Sequence, residues 1–177
     1  FYAYTTYMQK FLVNTAGFSK DTATTISAGS LLAYMFIQPM FGSLSDRIGR
    51  KTTLIFAFGV GCLITYPLMS RIAVTHDAWA AFLMVVALLI VLSGYTAVNA
   101  VLKAELFPAH VRALGVALPY ALANSIFGGS AEYVALWFKQ ARMESGFYIY
   151  VSLVMAVALV VAIRLRNTNK ESLIAED

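Results

Sequence analysis

The sequence predicts an all-α integral membrane protein, a bundle of six membrane-crossing helices of which the first is truncated. Three observations predict it. Of 177 residues, 60% are hydrophobic and only 12% are charged, about half the charge that a soluble domain needs to coat its core. The apolar residues gather into stretches near the roughly 20 residues that a helix needs to cross a hydrocarbon layer. Short polar turns separate them, and the densest, Gly42 to Lys51 (Gly-Ser-Leu-Ser-Asp-Arg-Ile-Gly-Arg-Lys), carries four charges in ten residues. Each charge at a bilayer centre costs about 2.5 to 3.5 kcal/mol, so this turn belongs in water or among headgroups.

The elements follow in order. Residues 1–13 are apolar but too short to span, and they open without an initiator methionine, a basic n-region or a cleavage-site pattern, which predicts a fragment with part of its first helix missing. The polar run 14–25, with Gly17, Lys20 and Asp21, is a predicted loop. The second span covers about 25–41, with Pro39 as a kink or stop near its end. After the charged loop, the third runs over about 52–70; Gly59 and Gly61 inside it suit close helix contact in lipid. Residues 71–77 connect it to a fourth span, 79–106, which ends at Phe107-Pro108. The fifth, 111–139, is interrupted by Pro119 and by Gly128-Gly129, breaks tolerated where neighbouring helices or a cavity satisfy the freed backbone groups. The sixth is 147–163, so the bundle occupies residues 1–166 and leaves 167–177 as a charged tail.

Alternation of sides then sets a topology. With residues 42–51 cytoplasmic, the turn at 108–112 and the tail share that side. Eight basic residues fall inside (Arg47, Arg50, Lys51, Lys103, Arg112, Arg164, Arg166, Lys170) and five outside (Lys10, Lys20, Arg71, Lys139, Arg142), the sign of the positive-inside bias. The net charge of +4 is spread over loop positions, which fits orientation in a bilayer and not nucleic-acid binding. Cys62 is the lone cysteine and lies in an apolar run, and His76 and His110 sit in loops. No cluster has metal-ligand spacing and no Ser/His/Asp grouping offers a nucleophile, so neither an enzyme nor a cofactor is predicted.

Within the charged turn, Gly42 lets two helices approach, Asp46 can cap or pair one turn on, and Gly49 permits a tight reversal before Arg50-Lys51. Gly42-x-x-x-Asp46-Arg47-x-Gly49-Arg50-Lys51 resembles the loop joining the second and third helices of each six-helix half in the major facilitator superfamily. Glu105-Leu-Phe107-Pro108-Ala-His-Val-Arg112 resembles the turn between that superfamily's tenth and eleventh helices, which would make this chain the C-terminal half. On the predicted topology Glu105 and Arg112 share a side with Asp46, Arg47 and Arg50, and such rim pairs form in one conformation and break in another. The plain alternative is that these charges rest among headgroups.

The segments Tyr7 to Gly17, Leu102 to Glu105, Arg112 to Val116 and Asn124 to Leu136 narrow the resemblance to the metabolite:proton symporter branch, whose members carry dicarboxylates, shikimate, citrate and proline or betaine. The resemblance implies a multi-pass protein of a bacterial inner membrane that takes up 2-oxoglutarate or a similar dicarboxylate with protons, by alternating access with a missing N-terminal six-helix half. A non-transporting membrane scaffold is the alternative from another class. Read from the residues, Tyr95, Asn99 and Lys103 recur at four-residue spacing, Tyr120 and Asn124 do the same, and Tyr7, Lys10 and Asn14 share a face. Polar groups within membrane helices face the bundle interior or a water-filled path. Tyr7, Lys10, Tyr95, Asn99, Tyr120 and Asn124 are therefore candidate substrate ligands, since a dianion needs cationic and hydroxyl donors. Each has a rival reading: the tyrosines as interior packing, Lys10 snorkelling to the interface. Glu132 is a candidate proton-coupling group, a partner for Lys10, or a rim carboxylate.

Overall fold

A computed structural model describes residues 1–165. The predicted tail, 167–177, and the basic residues Arg166 and Lys170 lie outside the described residues. Every regular element among the described residues is helical: α1 (Thr6–Asn14), α2 (Lys20–Ile48), α3 (Arg50–Val74), α4 (Ala78–Glu105), α5 (Ala109–Ala123), a π-helical turn (Asn124–Gly128), α6 (Gly129–Gln140) and α7 (Glu144–Arg164). Helix α5, the π turn and α6 form one continuous rod, so six rods make up the bundle. Four of them, α3, α4, residues 110–140 and α7, are long and apolar enough to cross a membrane. Helix α2, with 29 residues, is about 43 Å long at 1.5 Å per residue, but its hydroxyl and charged residues make it more polar.

The helices outrun their predicted bounds. Residues 42–51 are not a loop: α2 continues through Ile48 and the reversal is reduced to Gly49, at φ 96° and ψ 140°, backbone that essentially only glycine adopts. The polar loop predicted at 14–25 shrinks to residues 15–19, because Ser19 caps α2, its hydroxyl accepting the Thr22 N–H at 3.2 Å, and Asp21 favours the positive first turn. Likewise 71–77 shrinks to 75–77, where Asp77 accepts the Trp79 N–H at 3.0 Å. Charge marks where a helix leaves the membrane and not where it ends. Pro39 and Pro67 lie inside α2 and α3, and Pro119 inside α5. None of them stops its helix, since a proline forfeits one backbone bond while apolar neighbours on the same rod remain in lipid or in the bundle. The predicted break at Gly128-Gly129 takes the form of the π turn just before Gly129.

Helix α4 is the hub, packing on α2 and α3, while α3 also packs on α7. Its buried residues run from Ala81 to Glu105. Helix α1 buries Tyr7, Met8, Phe11 and Leu12; Tyr7 meets Phe147 edge-on at 5.5 Å and Phe11 meets Tyr148 at 5.9 Å, tying α1 to α7. The α3–α4 crossing is tight because a Cβ on Gly94 would lie 2.9 Å from that of Ala57. The α5–α6 rod stands apart, with no buried residue described in α5 or the π turn. Outward faces carry Leu32, Phe36 and Met40 on α2, Leu114 and Leu118 on α5, and Leu153 and Val157 on α7, surface that a bilayer covers and water would not.

Candidate functional site

The gap between the α5–α6 rod and the rest of the bundle is a cavity of about 680 Å³. Tyr95, Asn99 and Lys103 of α4 line one wall, four residues apart and therefore on one face; Tyr120 of α5 and Asn124 of the π turn face them. Among the described residues Lys103 is the only charged side chain on the lining, and its Nζ sits 4.0 Å from the centre of the Tyr120 ring, a cation over a π face. Phe58, Phe107, Phe127 and Tyr150 supply much of the apolar remainder. The π turn contributes by widening the helix at Asn124 and by placing Gly128, whose missing Cβ is filled by the ring of Tyr2. Such bulges are frequent at functional sites.

Of the six predicted ligands, four line this cavity: Tyr95, Asn99, Tyr120 and Asn124. Tyr7 and Lys10 do not. Tyr7 is 4% exposed within the aromatic core, because the face it shares with Phe11 turns toward α7. Lys10, about 60° round the same helix, forms an ion pair with Glu132 of α6. Lys103, which the stripe of spacing included but the ligand set did not, is the cavity's cation. Sequence reasoning also missed a polar cluster near mid-bundle: the Tyr34 and Thr96 hydroxyls are 2.6 Å apart and the Gln38 amide donates to Thr96 Oγ1 at 2.7 Å. Its signal was Tyr34 and Gln38, four apart in an otherwise oily segment. The buried hydroxyl pair of Tyr4 and Thr65, at 2.5 Å, was equally unheralded.

At the Gly49 turn, Arg50 reaches Glu105 at 2.6 Å and Asp46 at 3.6 Å. Three helices thus meet through one guanidinium. Glu105 is 4% exposed, and its second oxygen has no hydrogen-bond partner among the described residues. Arg47 is exposed, and Arg112 donates from Nε to the Phe107 carbonyl at 3.0 Å, closing its own turn. Gly42 does not serve a close approach, since an added Cβ would meet nothing within 4 Å. Lys51 Nζ donates to the Leu165 carbonyl at 2.7 Å, fastening the end of α7 to the same corner. Among the described residues no group of three His, Cys, Asp or Glu is placed to hold a metal ion.

The profile of a family described as sugar (and other) transporter matches residues 2–177. The chain belongs to that family, a branch of the major facilitator superfamily. Like other members of the transporter family it is a multi-pass membrane protein without enzymatic chemistry. It is 48% identical over 170 residues to the alpha-ketoglutarate permease of Escherichia coli (strain K12), covering 96% of this chain and 39% of that protein. It is 27% identical over 158 residues to the glycine betaine/proline/ectoine/pipecolic acid transporter OusA of Dickeya dadantii, covering 89% and 31%. The citrate-proton symporter of Klebsiella pneumoniae is 29% identical over 133 residues, covering 73% and 29%. The chain therefore spans less than two fifths of the length of these relatives. No solved structure matches it. For a member of this transporter family, a wall bearing one cation, two amides and two phenols is a surface on which an anion can be held by charge-assisted hydrogen bonds.

Proposed function

We propose that this chain is the C-terminal six-helix half of a carrier that moves 2-oxoglutarate or a similar dicarboxylate together with protons, by alternating access across a bacterial inner membrane. The observation that carries this reading is the 48% identity with an alpha-ketoglutarate permease over nearly the whole chain. The cavity chemistry agrees with it. Lys103 supplies a cation, and Tyr95, Asn99, Tyr120 and Asn124 supply donors around it, which suits a carboxylate better than a sugar or an apolar solute. The Asp46–Arg50–Glu105 cluster serves as the gate at the predicted cytoplasmic end, because closing it joins three helices and opening it frees them. Glu132 is the proton-coupling group of this half.

The test is uptake of radiolabelled 2-oxoglutarate by the full-length protein in proteoliposomes with an imposed pH gradient. Uptake that depends on the gradient and is competed by unlabelled 2-oxoglutarate is the expected result; no substrate-specific uptake would remove the reading. Relatives named for citrate and for betaine give the second reading, a different solute in the same site, and competition by those compounds separates the two. A scaffold that moves nothing would show no counterflow.

A further inference from the structure

The Lys10–Glu132 ion pair has three features that a static clasp does not need. It joins two helices that pack chiefly on others, α1 on α2 and α6 on α7, so it can open without parting the main helix contacts. Both side chains are half exposed, 50% and 40%, although Lys10 lies a turn inside the end of α1 and Glu132 about two turns inside the end of α6. Charges at that depth are excluded from lipid, so their open sides face a water-filled path or the partner bundle. Finally, it follows directly on the cavity, because Ala131 belongs to the cavity lining.

We infer that this pair is an exchange site in which a substrate carboxylate and a proton together replace Glu132 on Lys10. The inference rests on the transport reading above and adds the means by which the two fluxes are tied. The balance is simple. A proton from the acidic side adds to the Glu132 carboxylate, the ammonium of Lys10 loses its partner, and a carboxylate of the solute takes its place. The pair is neutral before, and Lys10 with the solute carboxylate is neutral after, so loading this group carries no net charge. On the alkaline side Glu132 loses its proton, re-forms the pair and expels the solute.

The surroundings support that division of roles. The charged and titratable groups around Glu132 are Lys10 and Tyr7 from α1, Glu144 at the start of α7, Tyr2 against Gly128, and Tyr133 and Lys139 on its own helix. Lys139 is already engaged, donating to the Asn14 carbonyl and to Thr15 Oγ1 and lying 3.7 Å from Glu144. Lys10 is thus the cation that answers to Glu132, and Glu144 has a cation of its own.

The test uses the full-length protein and 2-oxoglutarate. Wild-type affinity is expected to weaken with rising pH by up to about tenfold per unit, the slope of one proton taken up per solute bound; in Glu132→Gln it should be flat, with counterflow retained and gradient-driven accumulation lost. Glu132→Gln that still accumulates substrate and still shows the pH slope would overturn the exchange while leaving transport itself intact. Absence of any wild-type uptake would instead remove the transport reading and this inference with it. The charge swap Lys10→Glu with Glu132→Lys separates an exchange site from a clasp: coupled uptake should stay lost, and its full recovery would show that only pairing matters. A reading that needs no variant is proton uptake from weakly buffered solution when wild-type protein binds 2-oxoglutarate; none would overturn the exchange.

Discussion

Arg50 at the start of α3 and Glu105 at the end of α4 are joined at 2.6 Å, with the Glu105 side chain 5% exposed and the Arg50 side chain 22%. Asp46, on the same guanidinium at 3.6 Å, is 69% exposed. Depth sets the ranking. Glu105→Ala removes the buried carboxylate of the cluster and its short contact with Arg50, a loss of about 1.5 to 3 kcal/mol, while Asp46→Asn changes stability by less than about 1 kcal/mol. Thermal unfolding in detergent checks the order, and equal midpoints for the two variants would contradict it. In the proposed carrier Asp46→Asn slows exchange between inward- and outward-open forms, measured by counterflow, with little change in equilibrium binding.

Lys103→Gln removes the one charged side chain that the described residues place on the cavity lining. A charge-assisted hydrogen bond is worth about 1.5 to 3 kcal/mol, so affinity for 2-oxoglutarate should fall roughly ten- to a hundredfold. Lys103→Arg keeps the charge and should recover part of it. Isothermal titration of the full-length protein makes the comparison, and unchanged affinity in Lys103→Gln would move the substrate out of this cavity.

Gly49 and Gly42 read alike in sequence and differ in the fold. At φ 96° Gly49 is in backbone that a Cβ strains, so Gly49→Ala should destabilise by about 1 to 3 kcal/mol. Gly42 lies in mid-helix with open space beside it, so Gly42→Ala should be neutral or stabilising by up to about 1 kcal/mol. Parallel melting curves of the two variants test the contrast.

Two glycines of the α3 contacts test packing. A Cβ on Gly94 meets the Ala57 Cβ at 2.9 Å and the Thr53 carbonyl at 3.5 Å, and neither can swing away. A Cβ on Gly61 meets the Met155 sulphur at 2.8 Å, the far end of a flexible side chain. Gly94→Ala should therefore cost about 1 to 3 kcal/mol and Gly61→Ala distinctly less, as judged by unfolding midpoints.

Much of the site was legible as spacing. Tyr95, Asn99 and Lys103 were placed on one face by their four-residue interval, and that face does line the cavity. Tyr7 and Lys10 were placed on one face of α1 in the same way, but neither lines the cavity: Tyr7 is buried against α7 and Lys10 pairs with Glu132 of α6. Tyr34, Gln38 and Thr96 were missed since their grouping joins two helices 58 and 62 positions apart along the chain.

Six helical rods and their order were determined by the sequence alone, because hydrocarbon admits only long apolar segments with satisfied backbones and expels charge to their ends. Which polar residues meet was decided by the tertiary structure. The rotation of each rod about its axis is set by contacts such as Gly94 on Ala57 and Tyr7 on Phe147, and those contacts turn Lys103 into the cavity, Lys10 onto Glu132 and Arg50 onto Glu105.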